Sequence, residues 1–265
     1  MARAGADESV AIDCSDLVID RWGHGNPTRA IDGVTFSLPA GELMCIAGPT
    51  GSGKSTLVAA LAGASDATFR IAGGEATVAG ISIRRPGRRL RELTYRTGYL
   101  PQRGGADLTP QLTVQEAIAE PILRRERRVN AKALAIRVAT LLDEMHLPLV
   151  TAEKFPYELS AGMRQRVAVA RAFVLEPRVL IADEPLANLD LEVRHVVFEA
   201  IARRRKEYGM AALLVSNDVA FARELGAETL MIRDGHVVAR GVGADLVWTP
   251  GAEPDRAVPE RPGPA

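Results

Sequence analysis

The stretch GPTGSGKST, Gly48 to Thr56, decides the fold of this chain because of what lies on either side of it. The apolar run ELMCIA before it predicts a buried strand, and LVAALAG after it predicts a helix. Glycines in such a position bare backbone N–H groups, which converge on phosphate oxygens at the helix N-terminus. The alternative is a structural turn without a ligand, which the flanking strand and helix disfavour. The predicted phosphate-binding residues are Gly48, Pro49, Thr50, Gly51, Ser52, Gly53, Lys54, Ser55 and Thr56.

Four side chains, two in this loop and two after a later strand, are expected to bind and hydrolyse a nucleotide. Lys54 is expected to reach the β- and γ-phosphates of a nucleotide, and the Ser55 hydroxyl to ligate Mg²⁺. The segment RVLIADEP ends an apolar strand with two acids. We expect Asp183 on the metal side and Glu184 to polarise the attacking water. An ordinary exposed strand end is the alternative for these two acids, and the phosphate loop makes the functional interpretation stronger.

Composition narrows the class of protein. The chain has 265 residues with 47% apolar content, enough for a core, and 33 basic against 33 acidic residues give no net charge. This balance does not suggest nucleic acid as a partner. Of the two cysteines, Cys45 lies in an apolar run and is predicted to be a buried free thiol.

The predicted location is the cytoplasm, because the start of the chain has no apolar core and no 18 consecutive residues are apolar. Membrane association would then come through a partner. Three arginine-rich clusters, at 84–91, 124–128 and 203–206, are expected to be solvated faces or contacts to an acidic partner surface.

The order of the predicted elements indicates an α/β fold. Strand-like runs come first, helical patterns fill the middle, and strands and helices alternate afterwards, which favours a parallel sheet covered by helices. Thr113 and Glu116 have the spacing of a capping box, and an apolar helix face is predicted after Asn130. The polar ends, residues 1–8 and 249–265, are predicted to be disordered, leaving one domain at 9–248.

The segment LSAGMRQRVAVARAF, Leu159 to Phe173, resembles the signature motif of ATP-binding cassette (ABC) ATPases. Ser160 can cap the helix that follows, and a simple helix cap is the alternative for these residues taken alone. Three other motifs stand in the family's order, over about residues 10–242. GYLPQ resembles the Q-loop with Gln102, LANLD resembles the D-loop with Asp190, and Trp22 falls where the family places an aromatic that stacks on adenine.

The resemblance implies a P-loop NTPase (RecA-like) parallel sheet with an antiparallel β subdomain and an inserted helical subdomain at about 103–165. It also implies a head-to-tail dimer, with a copy or a different chain, that closes around ATP and Mg²⁺. Gln102 would join Ser55 and Asp183 as a metal ligand. Separate membrane subunits would couple the cycle to transport, holding the chain on the inner face of the membrane. The signature residues that would reach the partner's ATP are Ser160, Ala161, Gly162 and Met163.

Asn217 is the main departure from the family pattern, because the strand LLVSND should end in His-Asp. The family's histidine contacts the γ-phosphate and the water-activating glutamate, and His24, His146, His195 and His236 are not placed to replace it. Asn cannot take a proton, so a weakly hydrolysing site in a heterodimer is one alternative. A soluble, non-transport ABC ATPase is another.

Two further departures lie in the signature motif. Ala161 in place of a glycine is expected to be a mild change, and Met163 in place of Gln carries little information. Similar strings weakly favour the dipeptide and oligopeptide importer group.

Overall fold

The phosphate loop leaves β3 (Leu43–Ala47), which lies inside a seven-stranded sheet. The strand order is β11 (Asp245–Trp248), β10 (His236–Val242), β9 (Glu228–Arg233), β3, β8 (Ala211–Val215), β7 (Val179–Asp183) and β6 (Thr97–Leu100). From β9 to β6 all neighbours pair in parallel, whereas β10 and β11 are antiparallel. The carboxyl ends of the parallel strands therefore share one edge of the sheet.

The computed structural model of the chain describes residues 9–22, 26–64, 68–126, 128–186, 189–224, 226–242 and 245–249, and of 191–192 and 219–221 the backbone alone. The predicted tails, apart from Thr249, lie outside these residues, as do His24 and two residues of the predicted D-loop, Ala187 and Asn188. The predicted domain limits stay a prediction.

A second sheet is antiparallel, in the order β2 (Thr28–Pro39), β1 (Val10–Arg21), β4 (Phe69–Val78) and β5 (Ile81–Ser82). The run GGEATVAGISI, one of the strand-like runs in the first part of the sequence, forms a hairpin of β4 and β5. Its turn consists of Ala79 and Gly80, both with positive φ, at 48° and 73°. Ala76 and Val78 are buried before the turn and Ile81 and Ile83 after it, so the alternation shifts by one residue at the turn.

The helices are α1 (Lys54–Leu61), α2 (Leu90–Arg96), α3 (Val114–Leu123), α4 (Ala131–Glu144), α5 (Ala161–Phe173), α6 (Leu191–Tyr208) and α7 (Val219–Glu224). Short 3₁₀ helices span Gly87–Arg89, Leu149–Glu153 and Pro156–Glu158. The predicted capping box is present, since the Thr113 backbone N–H donates to Glu116 at 2.8 Å and the Glu116 N–H to the Thr113 hydroxyl. The predicted apolar face of α4 is buried at Val138, Leu141 and Leu142.

Two apolar clusters lie on opposite faces of the parallel sheet. Strands β3, β7 and β8 are buried along their whole length, so successive side chains enter different clusters. On β7, Val179 and Ile181 pack with α1 and the antiparallel sheet, while Leu180 and Ala182 pack with α3, α4 and α5. This layering confirms the predicted fold class. Strand β11 and helix α2 were not predicted.

Both cysteines are free and buried, as expected for Cys45. Burial raises the pKa of the Cys45 thiol to about 12, so the thiolate is suppressed at neutral pH. No helix of the described residues is long and apolar enough to cross a membrane.

A buried ion pair fastens the helical region to the sheet core. The Arg204 guanidinium of α6 donates to both carboxylate oxygens of Glu144 at the end of α4, and it lies 3.9 Å from the centre of the Phe173 ring. The side chains of Arg204 and Glu144 are only 13% and 11% exposed, whereas Arg203, which also contacts Glu144, is 48% exposed. The buried charge of Glu144 thus depends mainly on Arg204.

Replacing Arg204 with alanine is expected to lower the free energy of unfolding by about 3 kcal/mol, since it leaves a buried carboxylate poorly paired and removes the stacking on Phe173. Arg203→Ala is the matched control and should cost less than about 1 kcal/mol, because an exposed ion pair contributes little. Urea unfolding of both variants measures the difference. Equal losses would contradict this account of the cluster.

Candidate functional site

The phosphate loop has a backbone that its glycines make possible. Gly48 and Gly53 have φ values of 143° and 100°. A Cβ atom on Gly48 would lie 2.0 Å from the Ile232 carbonyl oxygen, and one on Gly53 would lie 2.1 Å from the Ala30 carbonyl oxygen. Any side chain at either position would therefore displace β9 or β2.

Lys54 is folded into the loop that it belongs to. Its ammonium donates to the carbonyl oxygens of Gly48 and Pro49, each at 2.7 Å. Burial lowers the pKa of Lys54, and the carboxylates of Asp183 and Glu184 partly oppose this effect. The Lys54 ammonium therefore lies inside the loop, and its contact with phosphate stays a prediction.

Backbone N–H groups at the start of α1 complete an anion site. The helix begins at Lys54, so the amides of Lys54, Ser55 and Thr56 have no intrahelical acceptor. The helix dipole adds positive potential at this end. Gly51 has no atom within 4 Å of the position that a Cβ would take, which leaves room at the loop. Together with the Lys54 ammonium, this geometry fits the phosphates of a nucleotide.

Asp183 is a buried carboxylate whose surroundings suit a bound cation. It lies at the end of β7 with 2% exposure, and its Oδ1 atom is buried without a hydrogen-bond partner. Burial raises the pKa of Asp183, and a hydrogen bond from the Ser55 hydroxyl opposes that rise. A buried, unpartnered carboxylate oxygen beside a hydroxyl fits Mg²⁺, which takes few protein ligands and completes its shell with phosphate oxygens and water. Within the described residues, no group of three or more His, Cys, Asp and Glu side chains could hold a metal.

Glu184 follows in a strained backbone position. Its φ is 51°, unusual for a residue other than glycine, and its N–H donates to the Val215 carbonyl oxygen at 3.0 Å. The positive φ ends strand β7 at Asp183, and the Glu184 side chain is only half-buried. Asp183 and Glu184 therefore have different surroundings, and their separate roles stay a prediction.

Asn217 lies against the phosphate loop. Its Oδ1 atom accepts a hydrogen bond from the Gly48 N–H at 3.1 Å, across 169 residues of sequence. Asn217 occupies the position of the family's histidine, called here the switch position. It is thus next to the loop, and its side chain is exposed. The four histidines do not take this place. His195 and His236 are exposed and contact Glu199 and Asp32, His146 is exposed, and His24 is outside the described residues.

The signature residues are not part of this chain's own phosphate site. Ser160 caps α5, its hydroxyl accepting from the Met163 N–H at 3.1 Å. Ala161 begins the helix, and its φ is not positive. This backbone conformation supports the expectation that its methyl group is tolerated. Ser160 and Ala161 are exposed, and Gly162 and Met163 are half-buried. Among the described residues, no hydrogen bond or ion pair joins these four to the loop.

Three further predicted residues have no hydrogen bond or ion pair with the loop among the residues that the structure describes. Gln102 and Asp190 are exposed, and Asp190 precedes α6 without a capping bond from its side chain. Trp22 is half-buried at the end of β1, and the Arg70 guanidinium lies 5.1 Å from the centre of its ring. The face of Trp22 thus already accepts a flat cation, which is compatible with stacking on a base.

Gln165 is a buried residue that the sequence reasoning missed. Its Nε2 atom donates to the Pro185 carbonyl oxygen at 3.1 Å, so α5 is tied to the residue after Glu184. The signal was present, because Gln165 precedes the buried Val169 by one helical turn and therefore lies on the apolar face of α5.

Comparison with known proteins identifies the family. A family described as ABC transporter matches residues 31–187, more than half of the chain. The chain belongs to the ABC transporter family. A peptidoglycan transport ATP-binding protein of Agrobacterium fabrum is 33% identical over 84% of this chain, and the chain spans 40% of that protein's length. An oligopeptide transport ATP-binding protein of Lactococcus lactis is 30% identical over 83% of the chain and 68% of the relative. A di/tripeptide transport ATP-binding protein of Pseudomonas aeruginosa is 31% identical over 86% and 69%.

Solved structures of ABC proteins share the fold. A dimeric bacterial ABC transporter cassette superposes with a TM-score of 0.80 at 24% identity, over 87% of this chain and 98% of the cassette. An ATP-binding subunit of an ABC transporter gives a TM-score of 0.74 at 25% identity, over 88% and 90% of the two chains. The combination of parallel sheet, antiparallel sheet and helical region is therefore the ABC cassette architecture.

Burial of Asp183 predicts that the free energy of unfolding of this ABC chain depends on pH. The raised pKa of Asp183 means that the folded state holds its proton more tightly than the unfolded chain does. The free energy of unfolding is therefore reduced as pH rises from the unfolded pKa, about 3.9, through the folded pKa. Asp183→Asn cannot ionise, and without nucleotide it should be more stable than the wild type at pH 7, with the difference shrinking toward pH 4.

Urea unfolding between pH 4 and pH 8 measures this difference. Asp190→Asn makes the same chemical change at an exposed position and is expected to follow the wild type across the range. A constant gap between wild type and Asp183→Asn at every pH would show that burial of the charge is not the cause.

Proposed function

We propose that this chain is the ATP-binding and ATP-hydrolysing subunit of an ABC transporter. The observation that carries the proposal is the meeting of three separate segments. The phosphate loop with Lys54, the acids Asp183 and Glu184, and the switch residue Asn217 converge at the carboxyl edge of the parallel sheet. Open parallel sheets bind their ligands at this edge.

The surroundings of the loop and of Asp183 support the role proposed for each. The loop amides and Lys54 would bind the phosphates and neutralise their charge. Ser55, Asp183 and Gln102 would hold Mg²⁺, which would offset charge on the phosphate oxygens. Glu184 orients and polarises the attacking water, and Trp22 stacks on adenine.

The outward-facing motifs suit a dimer. Ser160, Ala161 and Asp190 are exposed, and within the part of the chain that the structure describes no hydrogen bond or ion pair joins them to the site of their own protomer. In a head-to-tail pair they would reach the partner's ATP, where the N-terminus of α5 and the Ser160 hydroxyl offer donors to phosphate. The second chain is a copy or a different cassette. ATP-driven closure of the pair is transmitted by separate membrane subunits, which hold the chain at the inner face of the membrane.

The class of cargo follows from the relatives. Those described above are named for transport of oligopeptides, di- and tripeptides, and peptidoglycan. Peptides or peptide-containing fragments are therefore the proposed cargo of the complex, in agreement with the weak preference in the sequence motifs. No feature of the described residues favours a soluble, non-transport ABC ATPase.

A second candidate is a site that binds ATP but hydrolyses it slowly, and Asn217 is the observation that favours it. The Asn217 Oδ1 atom is engaged with the Gly48 N–H, and an amide cannot take a proton. In a heterodimer this chain's signature would then complete the partner's working site.

Lys54→Ala tests the site assignment. Loss of the buried ammonium is expected to weaken ATP binding by at least about 100-fold, because a charge-assisted contact to two phosphates disappears. Equilibrium binding of a fluorescent ATP analogue in the presence of Mg²⁺ measures the change. Lys206→Ala, on the exposed face of α6, is the control and should bind normally. Unchanged affinity of Lys54→Ala would refute the assignment.

Asn217→His tests the slow-site alternative. In the assembled complex with its membrane subunits, ATP turnover is expected to rise severalfold if the missing imidazole limits the rate. Asn217→Ala removes the bond to Gly48 without adding an imidazole and separates the two effects. Turnover equal to that of the wild type in Asn217→His would exclude the slow-site candidate and leave an ordinary ATPase subunit.

A further inference from the structure

Arg194 connects two segments of the nucleotide site. It lies in the first turn of α6, directly after the predicted D-loop. Its Nε atom donates to the Leu189 carbonyl oxygen at 3.1 Å, and its Nη1 atom donates to the Asp218 carboxylate at 3.1 Å, 24 residues further along the chain. One guanidinium thus joins the residue before Asp190 to the residue after Asn217.

Residues 216–218, which Arg194 contacts through Asp218, also bind β3 and the phosphate loop. The Asp218 N–H donates to the Ser216 hydroxyl at 3.1 Å, and the Ser216 N–H donates to the carbonyl oxygen of Ile46 on β3. Between them, Asn217 accepts from the Gly48 N–H. The start of α6 is therefore connected to the first residue of the loop by the Arg194–Asp218 bond, the backbone between Asp218 and Asn217, and the bond between Asn217 and Gly48.

The exposure of this ion pair points to positioning rather than to stability. The side chains of Arg194 and Asp218 are each 39% exposed, and an ion pair of that kind adds little to the free energy of unfolding. Its geometry is nevertheless specific. The planar guanidinium uses two different nitrogens on two acceptors, which a single ammonium could not reproduce.

We propose that Arg194 is a positioning residue for ATP hydrolysis. It clamps the start of α6 to residues 216–218, called here the switch segment, and so holds Asn217 against the phosphate loop. Through Leu189 the same clamp sets the position of Asp190, the residue presented to the partner protomer. The catalytic part of this inference rests on the proposed ATPase function. The clamp on Asn217 does not, because all of its contacts are between residues of this chain.

Arg205 provides a matched control on the same helix. Its Nε atom donates to the Gly41 carbonyl oxygen at 3.1 Å, and its Nη2 atom lies 3.5 Å from the Glu42 carboxylate. This arginine makes the same two kinds of contact, to a carbonyl and to a carboxylate, but away from the nucleotide site. Arg194→Gln and Arg205→Gln therefore remove equivalent interactions with different expected consequences.

Hydrogen exchange of the 265-residue chain without nucleotide tests the clamp itself. Arg194→Gln is expected to speed exchange of the Gly48 amide and of the amides at 216–218 by at least about tenfold, because the segment that holds them is released. Arg205→Gln should leave these amides unchanged. Protection equal to that of the wild type in Arg194→Gln would overturn the proposal, whether or not the protein hydrolyses ATP.

Steady-state kinetics test the consequence for hydrolysis. Arg194→Gln should lower kcat by at least about tenfold while binding of ATP stays within about twofold, since the loop remains and only the switch segment is misplaced. Arg194→Lys should recover part of the loss, and the effect should be absent when Asp218→Asn is already present. No turnover by the wild type would refute the proposed function. Turnover by the wild type with an unchanged kcat in Arg194→Gln, or with additive effects of the two variants, would refute the role of Arg194.

Discussion

The phosphate loop must aim its backbone N–H groups inward, and this constraint shapes the rest of the structure. It requires positive φ at Gly48 and Gly53, which brings the loop backbone against β9 and β2. The turn after β9 supports it from behind. The Gly235 N–H donates to the Ser52 carbonyl oxygen, and the Gly235 carbonyl accepts from Asp32 of β2. Both sheets therefore converge on the loop, and the antiparallel sheet is a wall of the site rather than an appendage.

Much of this could be predicted because the deciding signals are local. The loop is a contiguous string between an apolar strand and a helix, so its position followed from the chain itself. Strands β3, β7 and β8 are apolar on both faces, which is typical of a parallel sheet covered on two sides. The capping box of α3 rests on two residues three apart, Thr113 and Glu116, and it was predicted.

What the sequence did not reveal depends on contacts between distant segments. The acceptor role of Asn217 toward Gly48 and the bond from Gln165 to Pro185 join residues that only folding brings together. The turn at Ala79 uses positive φ in a residue that rarely adopts it, so composition gave no signal. The signature residues and Asp190 complete no site within one protomer, and their role therefore stays a prediction about a pair of chains.

Helix α6 is anchored by arginine at both ends, with Arg194 on the switch segment and Arg204 in the buried pair with Glu144 of α4. At a rise of about 1.5 Å per residue, about 15 Å of helix separates the two anchors. In mechanical terms the helix is a strut. It connects α4 at one end to the neighbourhood of Gly48 at the other. Because a helix of this length is stiff, we expect a displacement of α4 to reach the phosphate loop through α6.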